Sequence, residues 1–465
     1  MALKALREDR PDSRGHAKGR GIVGRVATTA AASTERKSET LATDQRREED
    51  DWTNAVLSAQ HISSTESLLQ WKCFDAFPGV RQNKQPIFLI EQQRRPIDEF
   101  SPRNVPRGTP NEIRDILEEY RRTVNFAYPI LTIEEIESIQ DLLLGSPLCK
   151  SIPWCRAWLV MALGCASQSI SFVSEETTGD ENTVFRYRTL APIYFSLFLE
   201  QSYLIHDDIS VMATQCLLFS ADYLAELAAL PQSGVGDIES TVPLPAEYHT
   251  ARLASEQELS SLYFLACIAM RRLLNRVHNL LYAPTTGVGL DDSRFPQIVH
   301  ELDHQLEQWR TYLPHAFAFT IDTQPANNEH GGFLRQRYLT CRSVIYRPFL
   351  TQALHDECDE YTLSQSEVCL DACILHIMNL RPYKHTVLID TWICSLSMAS
   401  AMLVLLAAFQ RPQLRDRLST RIKGLGSHLV QLIEPWMRLP GDACSPSVEQ
   451  SLELIREVES YIEQS

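Results

Sequence analysis

The sequence predicts an all-α fold: a large multi-helix bundle with a disordered N-terminal tail. Three observations carry that expectation. Several segments open with helix start signals. The apolar residues behind each of them recur at steps of three and four. Strand signals are nearly absent, and Gly is only 18 of 465 residues, against a usual share of about 7%. Low glycine suits helices and argues against a turn-rich β architecture.

The N-terminal residues 1–64 are charged, rich in Ala, Thr and Ser, and without apolar periodicity. That composition cannot bury enough apolar surface to offset the ordering cost, so the segment is expected to be disordered. Residues 65–108 read as a linker with a short hydrophobic lead, Leu68-Leu-Gln-Trp-Lys-Cys-Phe74. Ile87-Phe-Leu-Ile90 is the best strand candidate, and it has no hairpin partner.

Residues 109–465 are expected to form the helical body. Thr109-Pro110-Asn111-Glu112 supplies an N-cap, a proline at the first helical position and a glutamate at the third. Ile113, Ile116, Leu117, Tyr120 and Val124 follow at helical spacing, and Pro129 ends the segment. Thr132-Ile-Glu-Glu135 is a second capping box, ahead of Ile136, Ile139 and Leu143. Ser255-Glu-Gln-Glu258 is a third, and its helix carries Tyr263, Ala266, Met270, Leu273 and Val277 on one stripe. Ser364-Gln-Ser-Glu367 is a fourth. Ser445-Pro446 opens a last helix with Val448, Leu452, Ile455 and Ile462 on its inner side.

Two segments need separate treatment. Between Gly332 and Leu350, Leu334, Tyr338, Cys341 and Ile345 form one apolar stripe. Arg347 then stands where a helix end would favour a cation, and Pro348 is expected to stop the helix. The apolar run from Thr391 to Phe409 approaches the lower limit of a membrane span. Ser395, Ser397 and Ser400 interrupt it, so it reads as a buried core helix, and no membrane contact is expected.

Net charge is −15, from 44 Lys+Arg against 59 Asp+Glu. A domain that gripped nucleic-acid phosphates by itself would be basic. The 12 cysteines are scattered, with no Cys-x-x-Cys; the closest spacing is Cys369-x-x-x-Cys373. The first residues lack the apolar region of a secretory leader, so the cysteines read as reduced thiols packed as small hydrophobes.

Three motifs suggest chemistry. Gly19-Arg-Gly21-Ile-Val-Gly24 matches the dinucleotide-binding spacing, but no strand precedes it, so it reads as a basic tail. His300-Glu-Leu-Asp-His304 matches the zincin pattern, in which His300 and His304 would hold zinc and Glu301 would act as base. Its helix points Ile298, Leu302 and Trp309 inward, which sends both histidines to the polar side, and no third ligand is evident. His206-Asp207-Asp208 is similar to the aspartate pairs that hold magnesium in terpenoid synthases. Adjacent aspartates need a third acid one turn on, and Val211 and Met212 occupy those positions. Asp207 and Asp208 read instead as acids favouring a helix start. Arg94-Arg95, Arg121-Arg122 and Arg271-Arg272 are too short for a nuclear-localisation patch.

Several segments resemble, in order, the middle homology region of the fungal zinc-cluster (six-cysteine) transcription factors. Tyr120 to Leu131 is similar to the family's entry helix and its Pro-Ile-Leu exit. Tyr187 to Tyr203 and Ile209 to Tyr223 resemble its paired Ala-, Leu- and Tyr-rich helices. Phe264 to Tyr282, then Leu302 to Pro314, then Tyr346-Arg-Pro-Phe349 complete the series. The resemblance implies an all-helical regulatory domain with no catalytic residues and no cofactor. It also implies dimers, homo- or heteromeric, protein partners in the transcription machinery, a nuclear location and control of one pathway, secondary metabolism among the candidates. The family reads DNA through Cys-x2-Cys-x6-Cys and a second such half near the N-terminus. The first cysteine here is Cys73 and no spacing fits, so direct DNA contact is not expected of this chain. No catalytic, cofactor-binding, metal or DNA-binding residue is assigned. The alternatives are a zinc hydrolase built on His300, Glu301 and His304, and a terpenoid-synthase-like enzyme built on Asp207 and Asp208.

Overall fold

A computed structural model describes residues 65–82, 84–86, 89–90, 106, 108–174, 181–228, 256–283, 287–290, 292–355, 358–381, 389–438 and 445–464. The expected tail, the Gly19–Gly24 motif, Arg94-Arg95 and the Ser255 cap lie outside the described residues. Among the described residues there is helix and no strand. In chain order the α-helices are α1 (Thr65–Leu69), α2 (Pro78–Arg81), α3 (Pro110–Arg122), α4 (Val124–Ala127), α5 (Ile133–Gly145) and α6 (Ile152–Ser174). Then come α7 (Glu181–Leu199), α8 (Tyr203–His206), α9 (Val211–Ala228), α10 (Glu256–Leu281), α11 (Phe295–Thr311) and α12 (Glu329–His355). The chain ends with α13 (Glu360–Met378), α14 (Ile389–Phe409), α15 (Pro412–Leu418), α16 (Leu425–Ile433) and α17 (Pro446–Gln464).

Two hydrophobic cores organise these helices. The smaller is built from α3 and α5–α9, and centres on Tyr120, Trp154, Trp158, Tyr194 and Phe219. Trp158 stacks on Tyr194 at 5.8 Å between ring centroids, and Phe195 stacks on Tyr223 at 4.1 Å. One buried cation stands inside this layer. Arg156 donates to Glu135 at 2.8 Å and to Gln215 at 2.9 Å, which ties α6 to α5 and α9. The larger core takes α10–α17 and also Leu68, Phe74 and Val80 from the hydrophobic lead. Helix α4 joins the two, with Val124 in the smaller core and Phe126 in the larger.

Local chemistry explains the helix starts. Thr109 accepts from Glu112 N at 3.3 Å while Glu112 accepts from Thr109 N at 2.8 Å, the reciprocal capping box the sequence predicts. Thr132 and Glu135 repeat it at 3.3 and 3.0 Å. The first helix nevertheless stops short of Val124. Thr123 turns its hydroxyl back onto Glu119 O at 2.6 Å, and the backbone breaks there before α4 resumes. From Met398 to Phe409 every residue except Ser400 is buried, so the apolar run forms a core helix. No described helix is long and apolar enough to cross a membrane.

Three local expectations are corrected. Ser364 does not cap α13; Asp359 does, accepting from Thr362 N at 2.9 Å, because Glu360 to Leu363 already continue the helix. Leu89 and Ile90 are helical, with both amides bonded to Pro86 O, so the Ile87–Ile90 strand does not form over its described part. Most informative is Pro348, which lies inside α12, leaving Arg347 buried within the helix and not at its end. A proline supplies no amide to the carbonyl four residues back. Here that carbonyl is Val344 O, and the buried hydroxyl of Tyr282 donates to it at 2.5 Å. A partner 62 positions away thus replaces the missing bond and lets the helix run on.

Tyr282→Phe is therefore expected to cost about 1–3 kcal/mol, because a buried carbonyl loses its donor while the ring remains. Urea denaturation checks this. A variant as stable as the parent would mean that Val344 O needs no donor.

Candidate functional site

Four helices of the larger core, α10, α12, α13 and α14, enclose a pocket of about 160 Å³. Helix α12 presents Phe333, Gln336, Arg337 and Thr340 to it, residues that share one face at helical spacing. Met270 and Leu274, one turn apart on α10, form an apolar wall. Helix α13 contributes His376, and α14 contributes Ile393, Cys394 and Ser397.

The polar groups are unusual for such a depth. His376 is 4% exposed and Gln336 is 6% exposed. His376 Nε2 lies 2.8 Å from Ser397 Oγ and 3.4 Å from Thr340 Oγ1, and those hydroxyls are 3.4 Å apart. Burial lowers the His376 pKa to about 3, so the ring is neutral at physiological pH. Its Nδ1 meets no protein hydrogen-bond partner, and neither Oε1 nor Nε2 of Gln336 meets one. Leaving such groups unpaired costs roughly 1–3 kcal/mol each. Arg271, exposed, and Arg337, half-buried, border the pocket, and among the described residues no carboxylate lines it.

A second hollow, of about 290 Å³, lies between the α3–α5 segment and the start of α10. Several of its polar groups already have partners. Asn125 bonds Leu131 in both directions, at 2.9 and 3.0 Å. Ser260 donates to Phe126 O at 2.7 Å, and Arg121 bridges Glu118 and Glu256, at 2.6 Å each. This hollow is a satisfied joint between the two cores.

The motif residues do not converge. His300, Glu301 and His304 lie on the exposed face of α11, whose inner face is Phe295, Val299, Leu302 and Leu306. Glu301 accepts from Gln305 at 2.8 Å, and His304 Nε2 lies 3.0 Å from Gln308 Nε2. No group of three His, Cys, Asp or Glu that could hold a metal occurs among the described residues. Asp207 ends α8, and Asp208 accepts from Ser210 Oγ at 2.9 Å. Ser210 in turn accepts from Ala213 N at 3.1 Å, so Asp208 serves the start of α9, whereas Asp207 stands at the end of α8 and not at a helix start as expected. No disulfide joins the described cysteines. Burial pushes Cys155 up to about 11 and Cys216 up to about 12.

Gln336 and His376 were not foreseen from the sequence. The available trace was slight: the serines that interrupt the apolar run of α14, of which Ser397 turns out to face His376.

No known protein family's profile matches the chain, and no solved structure does. One curated protein is similar to it, an Aspergillus rugulosus protein named "Putative transcription factor ecdB". The two are 27% identical over a 310-residue alignment that takes in 53% of this chain and 54% of that one. The chain thus spans about half the length of the curated relative it matches.

Proposed function

We propose that this chain is a fungal transcriptional regulator of the zinc-cluster type, with residues 109–465 as one helical regulatory domain that works by contacting other proteins in the nucleus. The observation that carries this reading is the similarity to the Aspergillus rugulosus protein. The ordered helix signatures support it, because each quoted segment falls on α3–α4, α7–α9, α10, α11 or α12 in the expected order. The net charge of −15 favours partners over direct phosphate contact. The reading takes the chain to be non-enzymatic and includes a homo- or heterodimer. Phe185, Tyr203, Ile209 and Val211 on α7–α9 and their junctions expose apolar surface suited to protein contact.

Fusing the full chain to a heterologous DNA-binding domain in a fungal host tests the reading. Reporter output is expected to change, up or down, and a fluorescent fusion of the unmodified chain is expected in the nucleus. A reporter that stays at baseline with the chain held outside the nucleus would remove the proposal.

A further inference from the structure

We propose that the pocket among α10, α12, α13 and α14 is a binding site for a small uncharged amide or lactam, recognised by the side-chain amide of Gln336. A cavity of about 160 Å³ is comparable to one that admits a benzene-sized molecule. Its apolar walls, Met270, Leu274 and Phe333, suit a compact hydrocarbon body. The functional group is fixed by Gln336, which presents one acceptor and one donor, both without a protein partner. An amide or lactam satisfies both at once: its N–H donates to Oε1 and its carbonyl accepts from Nε2. A carboxylate could take only the Nε2–H bond and would leave its other oxygen facing the lone pairs of Oε1. An ammonium would oppose Nε2 and would also meet Arg271 and Arg337 at the border.

The surroundings disfavour a cationic guest. His376 carries no charge at this depth, and Thr340 and Ser397 already engage its Nε2. Among the described residues no carboxylate lines the pocket. The other hollow contrasts with it, because Asn125 and Ser260 there bond to the protein itself. Binding here is a property of the purified chain and stands or falls independently of any regulatory role.

Calorimetric titration of the full chain with benzamide and 2-piperidone, against benzoate and benzylamine as charged counterparts, tests the inference. Saturable binding of one molecule per chain is expected for an amide, at least about tenfold tighter than for either charged counterpart. Gln336→Met is expected to lose about tenfold or more of that affinity while its melting temperature rises, because two unpaired polar atoms are removed. A residue held only by packing would show the opposite sign in stability. Cys394 gives a second measurement on the unmodified chain, since it lines the same pocket. Benzamide should slow its modification by methyl methanethiosulfonate, which carries no amide, read by peptide mass. Absence of saturable amide binding, equal affinity for benzoate, undiminished binding in Gln336→Met, or unprotected Cys394 would each overturn the assignment.

Discussion

Gly164→Leu is expected to abolish cooperative folding of the smaller core, and Gly164→Ala to destabilise it by about 3 kcal/mol, at the upper end of overpacking costs. Gly164 lies on α6 where that helix crosses α3. A Cβ there would sit 2.4 Å from the carbonyl oxygen of Ile116 and 2.7 Å from its Cγ2. The first of these is backbone and cannot swing aside. To make room, α3 would have to move away from α6, but its start is fixed by the Thr109 box and its middle by Ile113, Leu117 and Tyr120, all buried in the same core. Gly145 at the end of α5 is the control, because nothing lies within 4 Å of a Cβ added there. Gly145→Ala should change stability by less than about 0.5 kcal/mol. Chemical denaturation of the three variants measures the difference. A Gly164→Ala protein as stable as its parent would mean that the two backbones are not in contact.

What the sequence revealed divides by range. The Thr109 and Thr132 boxes were legible because both bonds of a capping box close within four residues. The inward stripe of α12 was legible for a related reason: Leu334, Tyr338, Cys341 and Ile345 are all buried, and their spacing alone determines a common face. Ser364 had the same letters as a real cap and was misleading, because Asp359 was already available to start the helix upstream. Pro348 was misread as a stop because its rescue comes from Tyr282, on another segment. The pocket lies still further from view. Gln336, His376 and Ser397 belong to three helices, and each alone is one polar residue in an apolar stretch. Only their packing leaves the amide of Gln336 without a partner beside a neutral imidazole. The zincin-like string shows the converse, a full motif whose helix faces the wrong way.

Acid should separate His376→Gln from its parent. In the folded chain the imidazole is buried among α12, α13 and α14, and desolvation lowers its pKa to about 3. The described groups that face it are the hydroxyls of Thr340 and Ser397, with Arg271, Arg337 and Cys394 elsewhere in the same pocket and no carboxylate among the described lining residues. In the unfolded chain the ring titrates near its ordinary value of about 6.5. The unfolded state therefore binds the proton first as pH falls, and stability is lost below about 6.5 and recovered above it. The loss attributable to this one group is about 2 kcal/mol at pH 5 and about 4 kcal/mol at pH 3. Carboxylates such as Glu135, whose pKa is lowered by its bonds to Thr132, Gln215 and Arg156 despite an opposing desolvation, act mainly at lower pH. The window between pH 7 and pH 5 is thus the diagnostic one. Over it, the parent should lose about 2 kcal/mol more than His376→Gln, measured by urea midpoints at each pH. Parallel curves for the two proteins would mean that the imidazole takes up its proton in the folded state, and that the pocket is open to water at its base.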